Sequence, residues 1–210
     1  MSTSDSLYFF FFSSYNIVIL LLGDNKMIVY HVVTERPMEA GQKIIFNETN
    51  RSGVYTRVHE KSGIIQEIYA HPENYDADTL EHHTSVAMRE LALEEVRLKE
   101  YPHYPSRMTS LYVSKTYEEA VKWGEFFTRI GRPTFSIVEL EINGSQFVGN
   151  ANRCFRASLD KEENLKMADY YWSYDPSQAT DDDVLELLVS GEITVKKIVK
   201  EINANLVTGV

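Results

Sequence analysis

The stretch SLYVSKTYEEAVKWGEFFTRI (110–130) reads as a strand, a tight turn and a helix. LYVS (111–114) is short and rich in apolar, aromatic and β-branched residues, as suits a buried strand. Thr116 and Glu119 stand three apart in the pattern of a capping box, where each side chain satisfies a backbone amide that the helix start leaves unpaired. Ala120, Trp123, Gly124, Phe127 and Ile130 then fall on one face at helical spacing.

Working outward, residues 79–101 predict a helix, because Ala, Leu, Glu, Met and Arg dominate them. Ala87, Leu91, Leu98 and Tyr101 share its apolar arc, Glu94 interrupts it, and Pro102 ends it. Between Gly53 and Tyr69 the pattern suggests a helix broken near Gly63. IVYHVVT (28–34) is a half-buried strand, KIIF (43–46) a shorter one, and Asn47–Ser52 a polar turn. Downstream, FSIVELEI (135–142) alternates as a strand does, Asn143-Gly144 is a hairpin signal, and QFVG (146–149) is expected to return beside it. A loop carrying Arg153 and Arg156 leads to a helix over about 161–172. Residues 184–189 and 194–202 read as two strands around Ser190-Gly191. This order predicts an α+β fold, and 210 residues suffice for one domain, placed over residues 27–204.

The first 26 residues stand apart. Phe9–Phe12 and Ile17–Leu22 are apolar, yet polar residues 13–16 separate them, so a stable membrane span is not expected. A basic n-region and a small-residue cleavage site are also lacking. The simplest reading is an upstream extension or misplaced start outside the fold; a degenerate export signal and an ordered part of the fold are the alternatives.

A net charge of −10 argues against broad binding to a phosphate backbone, although a local basic pocket remains compatible with it. The single cysteine, Cys154, excludes an internal disulfide, points to no oxidising compartment, and favours a cytoplasmic location. No metal site is expected. His82-His83 has no third ligand and reads as a solvated helix start, and Asp181-Asp182-Asp183 lacks the glycine and distal glutamate of a calcium loop and reads as a solvated acidic turn.

Three residues invite a chemical reading. Glu186 lies among apolar neighbours in VLELLVSGEI (184–193), where a carboxylate is costly unless paired or at a cleft. His31 and Tyr112 lie on the strands at 28–34 and 111–114; each has an ordinary alternative, a core-edge histidine and a core aromatic. Arg107, just before the second strand, suits bidentate phosphate contact, and a plain surface arginine is the alternative. Arg36 and Arg153 are weaker candidates of the same kind.

The patterns Y-H-x-x-T (30–34), S-L-Y-x-S (110–114) followed by E-E-A-x-x-W (118–123), and E-L-L-V-x-G-x-I (186–193) resemble the ADP-ribosyltransferase superfamily in its His–Tyr–Glu form. Within it the chain looks closest to a group of uncharacterised bacterial proteins. The resemblance implies a split antiparallel sheet that binds NAD in the cleft between its halves. It implies that His31 contacts the adenosine ribose and nicotinamide amide, with Thr34 and Ser114 as further dinucleotide contacts. Tyr112 would stack on the nicotinamide, and Glu186 would bond the ribose 2′-hydroxyl and stabilise the oxocarbenium. Val184 stands where relatives that modify protein side chains often carry Glu or Gln, which points away from arginine-directed transfer. The acceptor stays open among protein, nucleic acid, small molecule and water. A nucleotide- or partner-binding protein that has lost catalysis is the alternative.

Overall fold

The computed structural model describes residues 26–34, 36–46 and 52–202. Among the described residues seven strands run β1 (Met27–Val33), β2 (Lys43–Ile44), β3 (Leu111–Val113), β4 (Ser136–Asn143), β5 (Gln146–Asn150), β6 (Leu185–Val189) and β7 (Glu192–Glu201). The helices described are α1 (Gly53–Ala70), α2 (His82–Glu100), α3 (Tyr117–Arg129) and α4 (Lys161–Trp172). The strands form two antiparallel sheets, ordered β1-β4-β7-β2 and β3-β6-β5. The fold is therefore α+β, with its sheet split in two. Of the expected leader and the expected turn at 47–52, only Lys26 and Ser52 lie within the described residues.

One bridge joins the sheets among the described residues. The Tyr30 amide donates to the Ser114 carbonyl at 2.9 Å, and the Ser114 amide donates back to Tyr30 at 2.8 Å. On one side of this bridge the sheets share an apolar core that includes Val29, Val138, Leu140, Leu187 and Val195. Helix α3 covers Val32 and Ile137 on the outer face, and the Thr116–Glu119 capping box starts it as predicted. Helices α2 and α4 cover the smaller sheet through Leu93, Phe147, Trp172 and Leu188, and the Trp172 indole donates to the Leu93 carbonyl at 2.8 Å.

Three expectations need correction. Strand β5 does not return beside β4; it pairs with β6 in the other sheet, and the strands flanking Ser190-Gly191 also belong to different sheets. Both linkers cross between sheets side by side, with the Ser190 amide donating to Ser145 at 3.0 Å. A Cβ on Gly144 would collide with the Ser190 carbonyl, and one on Gly191 would sit 2.6 Å from the Asn143 carbonyl. The glycines thus permit backbone approach rather than a hairpin turn.

Helix α1 runs unbroken through Gly63. Glycine costs a helix interior about 1 kcal/mol, whereas Val58, Ile65 and Ile68 are buried, each contributing roughly 1.5–3 kcal/mol. Packing outweighs propensity. Helix α2 begins at His82, because the Glu81 carboxylate caps it by accepting from the amides of His83 and Thr84. Its buried face includes Ala87, Met88, Leu93 and Val96, while Leu98 is 61% exposed. Glu90 and Arg97 are buried on that face too, and their charge conceals its period in the sequence.

Candidate functional site

The site lies where β1 and β3 meet. His31 pairs with Val138 across the ladder and turns Nδ1 to the Tyr112 carbonyl at 2.8 Å. A carbonyl only accepts, so Nδ1 carries a proton in this contact. Tyr112 pairs with Leu188, next to Leu187 and two residues from Glu186 on β6. The fold thus brings the ends of three distant segments together.

Glu186 is half-buried and bonded on one oxygen. Its Oε1 accepts from Arg107 Nη1 at 2.9 Å and from the Tyr171 hydroxyl at 2.6 Å, with Cys154 Sγ at 3.8 Å. None of these bonds goes to Oε2. Every buried side-chain polar atom among the described residues has a partner, so Oε2 is the oxygen open to the cavity that Glu186 lines.

Arg107 is buried beneath this carboxylate. Nε donates to Glu90 Oε2 at 2.8 Å, and Nη1 also donates to the Tyr171 hydroxyl at 2.5 Å. The guanidinium carbon lies 5.2 Å from the Tyr112 ring centroid and 4.9 Å from that of Tyr171, so a cation is held against two aromatic faces. Glu90 also takes Arg89 at 2.9 Å. Burial alone would raise the Glu90 carboxyl, but the Arg107 and Arg89 charges hold it below its ordinary range. Burial pushes the phenols of Tyr112 and Tyr171 well above theirs, and the Cys154 thiol up to about 11. These groups hold their protons at neutral pH.

Two cavities open from the site. One of 280 Å³ is walled by Tyr30, Tyr112, Trp123 and Phe127, with His31, Thr34, Ser114 and Glu186 also on its lining. The other, of 520 Å³, shares His31, Thr34 and Tyr112, and reaches Arg36, Lys43, Arg57 and the start of α1. Of the residues singled out from sequence, His31, Thr34, Arg36, Arg107, Tyr112, Ser114 and Glu186 border these two spaces. Arg107 lines the larger one, but its guanidinium is bonded to Glu90, Glu186 and Tyr171 instead of standing free for a pyrophosphate. Arg153 lies elsewhere, stacked over Tyr170 at 4.1 Å.

Sequence reasoning missed Glu90, Tyr171 and Gly149. Glu90 carries a signal in the sequence, a charge on the face that includes Ala87, Met88 and Leu93, whereas Glu94, which interrupts the expected apolar arc, pairs with Arg97 at 2.7 Å. Gly149 lies opposite Glu186, and a Cβ there would sit 2.9 Å from the Tyr171 hydroxyl. Among the described residues no cluster of His, Cys, Asp or Glu is placed to hold a metal ion, and no helix is long and apolar enough to cross a membrane.

Over residues 29–201 the sequence matches the family described as "Protein of unknown function (DUF2441)". No curated protein matches it.

Proposed function

This chain belongs to the DUF2441 family, and from the chemistry of its site we propose that it acts on NAD, cleaving the nicotinamide–ribose bond as an ADP-ribosyltransferase or NAD glycohydrolase. The observation that carries the reading is a carboxylate with one open oxygen, Glu186 Oε2, on a 280 Å³ cavity walled by four aromatic side chains. The nicotinamide ring of NAD is flat and cationic, which aromatic faces favour. Bond cleavage moves that positive charge onto the ribose, where a carboxylate stabilises it while neutral nicotinamide leaves. Tyr112 then serves as the stacking face, and His31, Thr34 and Ser114 as polar contacts to the dinucleotide. Arg107 and Tyr171 fix Glu186 from behind.

Release of nicotinamide from NAD tests this directly. Glu186→Gln keeps the side-chain shape and is expected to reduce release about 10²–10³-fold while the protein stays folded. Wild-type protein that neither binds NAD nor releases nicotinamide overturns the proposal. A second reading, a binding protein without catalysis, is favoured by the bonds that converge on Oε1, since such an ion pair also serves structure alone. NAD binding without nicotinamide release selects it.

A further inference from the structure

The larger cavity carries a charge pattern at odds with the rest of the chain. In a protein of net charge −10, Arg36, Lys43 and Arg57 line one 520 Å³ space. They come from the loop after β1, from β2 and from the first turns of α1. None of the three enters an ion pair among the described residues. The acidic group on that lining, Glu90, already holds Arg89 and Arg107. Gly53 and Val54, the first two residues of α1, line the same space; their amides fall among those that have no partner within a helix, and the helix dipole adds positive potential there.

We propose that this cavity binds a phosphorylated small molecule, and that in the reaction proposed above this molecule is the acceptor. The assignment as acceptor rests on that reading; the binding of a phosphate ester does not. Three cations and a helix start suit a compact phosphoryl group, while the surrounding negative charge disfavours an extended polyanion. The two cavities meet at His31 and Tyr112, so a ligand in the larger one borders the space that Glu186 lines. In the transfer, the bond from C1′ to nicotinamide nitrogen breaks with its electron pair on nicotinamide. A hydroxyl oxygen of the phosphorylated molecule forms the new bond to C1′, and its proton passes to water.

Ribose 5-phosphate is a suitable probe, with ribose as the control, measured by calorimetry on the full chain. Ribose 5-phosphate is expected to bind and ribose is not. Binding weakens as salt rises, and falls about tenfold in each of Lys43→Ala and Arg57→Ala. Arg57→Lys, which keeps the charge, restores part of it. Glu186→Gln protein saturated with NAD still binds ribose 5-phosphate. Absence of binding, or affinity untouched in both alanine variants, overturns the site. Displacement of ribose 5-phosphate by NAD overturns the acceptor role, because the dinucleotide's own phosphates then fill the cavity. Phosphate-ester binding that needs Arg57, in a protein that never cleaves NAD, leaves the site standing and removes only the proposed reaction.

Discussion

Arg107 Nη1 holds Glu186 Oε1 at 2.9 Å while Nε of the same guanidinium holds Glu90 Oε2 at 2.8 Å, so one buried cation ties α2 to β6. Tyr171 on α4 joins through its hydroxyl, which accepts from Arg107 and donates to Glu186. Three elements far apart in sequence are locked together under the candidate site. Burial lowers the tendency of Arg107 to stay charged, but Glu90 and then the groups around Tyr112 and Glu186 hold it protonated, well above its ordinary value.

Arg107→Met is the direct test of that lock. It keeps the side-chain bulk but leaves Glu90, whose side chain is 2% exposed, with Arg89 alone. Breaking a buried pair from one side costs about 3–5 kcal/mol. Urea unfolding should show a loss of that size. A loss under about 1 kcal/mol would mean that the pair behaves as an exposed one.

The same network predicts acid sensitivity. The Glu90 carboxyl in the fold lies below its ordinary value of 4.5, against burial and because of Arg107 and Arg89. A depressed folded value means that the stabilisation is complete above 4.5 and is lost as pH falls through the folded value. Glu90→Gln should therefore be less stable than wild type at neutral pH, with a flatter fall in melting temperature below about pH 4.5. Equal acid slopes in the two proteins would show that other groups govern acid unfolding.

What the sequence disclosed divides along physical lines. The strand-turn-helix at 110–130 was legible because its signals are local: a capping box and a helical apolar face. His31, Tyr112 and Glu186 were legible as residues out of place, a histidine on a strand and a carboxylate among aliphatics. Pairing was not legible. Asn143-Gly144 has the same composition whether the chain folds back or crosses to another sheet, and only the approach of Ser190 decides which. Nor could the sequence place Arg107, since Glu90 and Tyr171 are 17 and 64 residues away along the chain.

Gly149 tests whether Tyr171 positions the carboxylate. A Cβ at this position would come within 2.9 Å of both the Tyr171 hydroxyl and Phe147 Cε1. Gly149→Ala should displace Tyr171 from Glu186 at a cost of about 1–3 kcal/mol, and Tyr171→Phe should remove the same bond without the clash. If both act through Glu186, their effects on nicotinamide release are not additive in the double variant. Additive effects would mean that Gly149 acts by packing alone.

Cys154 reports on the burial of the same carboxylate. Its Sγ lies 3.8 Å from Glu186 Oε1, and burial moves the thiol from 9.0 to about 11. Because the thiolate is the reactive form, a shift of that size lowers reactivity near neutral pH about a hundredfold. Iodoacetamide should therefore label native protein slowly at pH 8, with the rate climbing toward pH 11 until unfolding intervenes, while urea-unfolded protein labels at the rate of a free thiol. Glu186→Gln removes a negative charge that raises the thiol value, so labelling of that variant should quicken modestly at the same pH. Rapid labelling of folded wild-type protein at pH 8 would place Cys154 in open solvent, and the cluster around Glu186 would then be looser than the bonds to Arg107 and Tyr171 require.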